Sequence, residues 1–354
     1  MELTRSNIRR ILVRSTNWVG DALLTTPALA SLKANFPEAR ISVLARSRVT
    51  AVYEDHPAVD EIIIYDRERR HKGWSGFNRL AGEVRAKRFD LAVLFQHAFG
   101  AALLAWLARI PERLGYNTDG RGFLLNRAVR HRPEDKQIHE VESYQGLIRR
   151  SGLKVNQSNP IFHLPSSAEQ WASARLSEMN LDGSFILGIA PGASYGLAKQ
   201  WPPEKFAKAA QVILENKRGT ALLFGSQSEV MVTKGIKEFL TVPAYDLAGR
   251  TDLAEVAALI KRCHLFLTND SGLMHVGAAV GTPLVAIFGS TNPITTSPFT
   301  NNARVIRHPV DCAPCLKRVC TQSNHLCMEL VKPEEVATAG LELIGKGGES
   351  GDGS

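Results

Sequence analysis

The sequence has no apolar run long enough to cross a bilayer. Its longest nearly uncharged apolar stretch, residues 276–290, falls short of the about 20 residues a spanning helix needs, and Gly281 and Pro283 interrupt it. Residues 1–14 lack an apolar core followed by a small-residue cleavage site, which argues against export. Cysteine is scarce, at five in 354 residues, and without an export signal these are expected to be reduced thiols. No helix-turn-helix, RNP-like or zinc-finger spacing is present, so nothing specific supports a nucleic-acid reader. The expectation is a soluble cytoplasmic protein.

What is present is enough apolar sequence for a sizeable core: 44% of residues are hydrophobic and 22% charged, outside the range of disordered chains. The length predicts about two domains. Charge is unevenly placed. Residues 1–165 hold 26 Lys+Arg against 17 Asp+Glu, whereas residues 166–354 hold 17 against 18, so the whole net charge of +8 comes from the first half. A field of one sign points to an anionic partner for that half, be it nucleic acid, a membrane surface or a phosphorylated substrate; an arginine-rich solvated surface is the alternative.

Two similar patterns follow each other along the chain. In the first, apolar runs at 8–13, 41–44, 62–65 and 91–95 alternate with helical periodicity, including one helix through Leu23, Leu24, Leu29 and Leu32. The second begins at 185–190 and continues with runs at 221–224, 265–268 and 284–288, again separated by helices; Thr251-Asp252 has the character of an N-cap. Near-continuous apolar strands alternating with helices predict parallel sheets covered on both faces. Residues 156–167, rich in Pro, Ser and Asn, form a linker. The predicted organisation is two doubly wound, Rossmann-like α/β domains, 1–165 and 166–332, facing across a cleft. A last helix at 333–344 is expected to pack back on the first domain, and a Gly/Ser-rich tail at 345–354 to be disordered.

Ligands of open parallel sheets bind beyond the carboxyl ends of the strands, at helix N-termini. Three strand-to-helix turns therefore matter. The first, Ser15-Thr16-Asn17-Trp18-Val19-Gly20-Asp21, presents Asp21, either as a cleft carboxylate or as a helix cap. The second runs from Pro191-Gly192-Ala193-Ser194-Tyr195 to Lys199-Gln200-Trp201-Pro202. Its Ser194 hydroxyl and Lys199 ammonium suit a diphosphate, although its spacing is not that of a Walker loop. The third, Asn269-Asp270-Ser271-Gly272-Leu273-Met274-His275, offers free backbone N–H groups and the positive end of a helix dipole. Asp270 as a cap and His275 as a packed histidine are the competing roles there. Four of the five cysteines, Cys312, Cys315, Cys320 and Cys327, cluster as C-x2-C-x4-C-x6-C near His308 and His325. They either form a tetrahedral zinc site or pack a loop as reduced thiols, and the second is preferred because the spacing is not a pair of C-x2-C knuckles.

With these residues in view, the chain from about 8 to 344 resembles glycosyltransferase family 9, the bacterial lipopolysaccharide heptosyltransferases. The resemblance rests on Asn17-Trp18-Val19-Gly20-Asp21-Ala22-Leu23-Leu24-Thr25-Thr26-Pro27, on Pro191-Gly192-Ala193 with Lys199-Gln200-Trp201-Pro202, and on Asn269 to His275, in that order. Cys312-Ala313-Pro314-Cys315 is similar to one branch of the family. The resemblance implies a GT-B fold with an N-terminal acceptor domain and a C-terminal nucleotide-sugar domain. It implies metal-independent, inverting transfer of heptose from ADP-heptose to a phosphorylated heptosyl-Kdo2-lipid A core, with no cofactor and no nucleic acid, at the cytoplasmic face of the inner membrane. Asp21 would be the general base and Lys199 would meet the donor diphosphate. Ser194, Tyr195, Glu229 (placed to reach ribose hydroxyls), Asp270, Ser271, Gly272, Leu273, Met274 and His275 would complete the donor site, and Asn17, Trp18 and Gly20 would line the acceptor. A nucleotide-sugar epimerase, which shares two facing α/β domains, and a basic nucleic-acid-binding protein are the alternatives.

Overall fold

A computed structural model of the chain describes residues 8–156 and 158–346. It divides into two compact units, one ending at His163 and the other beginning at Leu164.

The first unit contains β1 (Arg10–Arg14), α1 (Val19–Leu24), α2 (Thr26–Asn35), β2 (Arg40–Ala45), β3 (Glu61–Ile64), α3 (Gly73–Ala86), β4 (Leu91–Leu94), α4 (Phe99–Leu107), β5 (Glu112–Tyr116), β6 (Arg127–Val129) and α5 (Glu140–Arg150). All six strands are parallel, in the order β3-β2-β1-β4-β5-β6. Apart from the exposed first residues of β1 and β2, Arg10 and Arg40, the central strands are buried, as covering on both faces requires. Leu12, Leu44, Leu80, Val84, Leu94 and Leu104 form one core between sheet and helices.

One expected helix is two. The chain bends at Thr25 because Pro27 has no N–H to continue the helical ladder. The Thr25 hydroxyl donates to the Ala22 carbonyl (2.7 Å) and the Thr26 hydroxyl to the Leu23 carbonyl (2.8 Å), so the break leaves these acceptors satisfied. The expected linker is partly structured as well. The Asn156 carbonyl accepts from Ser31 and Gln145, and the Ile161 N–H donates to Thr26, which ties its first half to α2 and α5.

The second unit repeats the plan with α6 (Ser166–Glu178), β7 (Ile186–Ala190), α7 (Pro203–Lys217), β8 (Thr220–Leu223), α8 (Val230–Phe239), β9 (Ala244–Asp246), α9 (Leu253–Lys261), β10 (Leu265–Asn269), α10 (Gly272–Ala279), β11 (Leu284–Ile287), α11 (Pro293–Thr296), β12 (Ala303–Ile306), α12 (Leu326–Glu329) and α13 (Pro333–Lys346). Its parallel sheet runs β12-β11-β10-β7-β8-β9, the same topology. Asp252 caps α9 and forms a reciprocal capping box with Glu255, as the Thr251-Asp252 signal predicts.

The last helix makes its main contacts within the second unit. α13 lies on α7, and Val336, Ala337 and Leu343 join the second unit's core beside Phe206, Ile213 and Leu265. Of the expected tail, Gly345 and Lys346 close α13, while residues 347–354 lie outside the described residues. Among the described residues, no helix is long and apolar enough to cross a membrane.

Candidate active site

In each sheet the strand order reverses between the first and fourth strands of the unit, which makes the β1/β4 and β7/β10 junctions the switch points where open α/β sheets bind ligands. All three turns singled out in the sequence leave strands at these junctions: the first follows β1, the second follows β7 and the third follows β10.

The first turn is built on buried polar groups. Arg14 is buried at the end of β1, donates to the Ser15 carbonyl and to Asn17 Oδ1 (3.0 Å), and burial holds its pKa down to about 10. Tyr53 shares its hydroxyl with Ser15 (2.8 Å) and Thr25 (3.1 Å), fixing both ends of α1. Trp18, and not Asp21, occupies the N-cap of α1; its ring is 44% exposed, with the Arg48 guanidinium 4.6 Å from its centroid. Gly20 is buried within the helix.

Asp21 is half-buried in the first turn of α1 and within electrostatic reach of Tyr53, Glu140 and Tyr144. Glu140 opens α5, which packs on α1. Burial, and then the charge of Asp21, raise the Glu140 carboxyl to about 7. The same influences, burial first, push the Tyr144 hydroxyl well above its ordinary range. Sequence reasoning missed Glu140: nothing in the local pattern distinguishes it from any acidic residue in a first helical turn.

In the second unit the two remaining turns interlock. Asn269, fully buried as the last residue of β10, donates to the Pro191 carbonyl (2.6 Å) and accepts from the Trp201 N–H (3.1 Å), so one side chain holds both ends of the second turn. Asp270 is no cap. Its carboxylate accepts from Lys199 (2.6 Å) and Thr291 (2.5 Å), and Ser271 caps α10 instead, accepting from the Met274 N–H (3.4 Å). Met274 and His275 are buried under the turn, while Gly272 is exposed and Leu273 partly so.

Glu229 reaches this turn from the loop after β8. It accepts from the Ser226 N–H (2.7 Å) and hydroxyl (2.8 Å), and it lies so close to Gly192 that a Cβ there would stand 1.8 Å from Glu229 Oε1. Only glycine admits that approach. Ser194 and Tyr195 are exposed; the Tyr195 hydroxyl donates to the Leu316 carbonyl (2.7 Å), and Lys199 Nζ sits 4.8 Å from its ring centroid. The structure thus brings Tyr195, Lys199, Glu229, Asp270 and Ser271 around one switch point. Asn269 and Thr291 were missed as functional residues; a wholly polar side chain ending an apolar strand is the signal that marks Asn269.

The cysteine segment runs over the same loop. Burial pushes the Cys327 thiol up, and Cys320, Cys312 and Cys315 add to the shift. Among the described residues, no group of three or more His, Cys, Asp or Glu side chains is arranged to hold a metal ion.

The chain as a whole is similar to known proteins. Residues 77–326 match the model of glycosyltransferase family 9 (heptosyltransferase). The chain is 32% identical over 336 residues to lipopolysaccharide heptosyltransferase 2 of Salmonella typhimurium, covering 92% of this chain and 96% of the relative. The structure of E. coli ADP-heptose lps heptosyltransferase II aligns with a TM-score of 0.79 at 28% identity, over 96% of this chain and 99% of that one. A family 9 glycosyl transferase from Veillonella parvula aligns with a TM-score of 0.87 at 27% identity, over 98% and 99% of the two chains. With these matches, the two Rossmann-like units are those of a glycosyltransferase of the GT-B fold class. The chain belongs to glycosyltransferase family 9, the heptosyltransferases. That membership does not favour the epimerase or nucleic-acid-binding readings.

Proposed function

We propose that this enzyme transfers a heptose from ADP-heptose to the heptosyl-Kdo2-lipid A inner core during lipopolysaccharide biosynthesis, with inversion in a single displacement. The observation that carries the proposal is the division of chemistry between the units: a carboxylate at the switch point of the basic first unit, and a lysine with a capped helix N-terminus at that of the second. A displacement at an anomeric carbon needs a base to take the acceptor hydroxyl proton and a cationic, hydrogen-bonding cradle for the departing diphosphate.

Asp21 takes the first role. It lies in the first turn of α1, whose N-cap is Trp18. Lys199 and the α10 N-terminus take the second role, with Ser194, Tyr195 and the 270–275 turn around the phosphates and Glu229 toward the ribose hydroxyls. Asn17, Trp18 and Gly20 contribute to the acceptor site, where Arg48 beside Trp18 suits a phosphorylated glycolipid. The first unit's positive field would also hold the enzyme at an anionic membrane face, and it serves this acceptor rather than nucleic acid.

The test is mass-spectrometric detection of heptose transfer from ADP-heptose to heptosyl-Kdo2-lipid A by the purified chain, with Asp21→Asn alongside. The variant should melt and bind donor nearly as wild type yet transfer at least about 10²-fold more slowly, the low end of general-base catalysis. Lost stability with full activity in the folded fraction would give Asp21 a purely structural role.

A further inference from the structure

The proposed donor turn contains one cation, and that cation is already matched. Lys199 is paired with Asp270 at 2.6 Å, in a pair whose side chains are only 13% and 4% exposed. A pair of this kind is close to neutral, whereas a diphosphate leaving group carries more than one negative charge. A second cation nearby would offset more of that charge, and the cysteine-bearing segment brings one.

This segment is strapped across the turn by several independent contacts. The Ala198 N–H donates to the Arg318 carbonyl (3.0 Å), the Tyr195 hydroxyl to the Leu316 carbonyl (2.7 Å), and the His325 ring lies 3.0 Å from the Ala198 carbonyl. Packing is so close that a Cβ on Gly196 would stand 2.3 Å from the Arg318 carbonyl oxygen. The Leu316 N–H in turn donates to the Ser290 carbonyl (2.8 Å), next to the Thr291 that holds Asp270. The strap therefore touches both sides of the Lys199–Asp270 pair. On it, the exposed Arg318 places its guanidinium 5.3 Å from the centroid of the Tyr195 ring, the same ring that Lys199 approaches at 4.8 Å. Two cations thus share one aromatic neighbour. Unlike Lys199, Arg318 forms no ion pair with a carboxylate among the described residues.

We propose that Arg318 is a phosphate-binding residue of the donor site, presented by the cysteine-bearing strap to the diphosphate of a nucleoside diphosphate-sugar beside Lys199 and Tyr195. The proposal rests on the donor-site reading given above. A guanidinium fits this role because its planar fork binds two phosphate oxygens at once and its face stacks on a tyrosine, which orients it before the ligand arrives. The strap's backbone contact is made by the Arg318 carbonyl, so replacing the side chain leaves that anchor in place.

ADP binding to the whole chain by titration calorimetry tests the idea, with Arg318→Gln, Arg318→Lys and Lys317→Gln compared to wild type. Lys317 neighbours Arg318 on the strap but bonds to Thr321 (3.0 Å), so it controls for the general field. Loss of a charge-assisted phosphate contact should weaken ADP binding about 10-fold or more in Arg318→Gln. Arg318→Lys should fall between, and Lys317→Gln should stay within about twofold, as expected for an exposed, screened charge. Equal affinity of Arg318→Gln and wild type, or equal weakening by Arg318→Gln and Lys317→Gln, overturns the assignment while leaving the donor turn intact. Failure of the wild-type chain to bind ADP overturns the donor-site reading itself, and this assignment with it.

Discussion

The Lys199–Asp270 pair makes a simple lysine deletion ambiguous, and the ambiguity can be resolved. Lys199→Met removes the ammonium but leaves Asp270 buried with Thr291 as a remaining donor. Breaking a buried pair from one side costs about 3–5 kcal/mol, and the retained Thr291 bond argues for the low end, about 3 kcal/mol. For a unit of this size each kcal/mol moves the melting midpoint by roughly 2–4 °C, so a drop of roughly 6–12 °C is expected. Asp270→Asn alone keeps an oxygen for Thr291 and leaves the lysine, only partly buried, to rotate toward solvent; its loss should be smaller. The double variant Lys199→Met/Asp270→Asn has no uncompensated charge and should recover most of the stability lost in Lys199→Met. Transfer behaves differently. If Lys199 stabilises the leaving group, both variants lacking it should stay on the order of 10²-fold or more below wild type at saturating donor. Calorimetric melting and single-turnover transfer, measured on all four corners of the cycle, separate the two effects. Recovery of transfer along with stability in the double variant would make Lys199 a counter-ion for Asp270 and refute its role in the reaction.

Glu140 should leave a mark on the pH dependence of stability. Its folded carboxyl is raised from 4.5 to about 7, so between those values the folded state holds a proton that the unfolded state has released. The contribution is therefore full below about pH 4.5 and is lost as pH rises through about 7, on the order of 2 kcal/mol after allowance for partial exposure. Glu140→Gln should flatten that part of a urea-midpoint profile, and an unchanged profile would contradict the burial of the carboxyl. Gly192→Ala should displace the Glu229 carboxylate from Ser226, since the new methyl would lie 1.8 Å from Glu229 Oε1. A cost of about 1–3 kcal/mol in stability and a higher donor KM are expected; wild-type values for both would show that the loop moves aside freely.

The strand-to-helix alternation was legible in the residues themselves, because parallel strands covered on both faces must be apolar along their whole length, as at 186–190 and 284–287. The three turns were legible for a related reason: glycine, asparagine and serine interrupt the apolar pattern between strand and helix, where open parallel sheets bind their ligands. Even the break between α1 and α2 was written locally, in Thr25-Thr26-Pro27, although it reads as one helix if only apolar spacing is followed. Strand order was not legible, and it is the order that puts those turns at two switch points. Hydrophobic periodicity specifies which face of a strand is buried, not which strand lies beside it. The same limit hid the roles of Asn269, which holds Pro191 and Trp201, and of Glu140, which α5 brings to Asp21. It also hid the seat of α13 on α7, since an amphipathic helix shows a buried face without naming what buries it. Local chemistry determined the elements and the turns of this protein; long-range packing alone decided which charges meet.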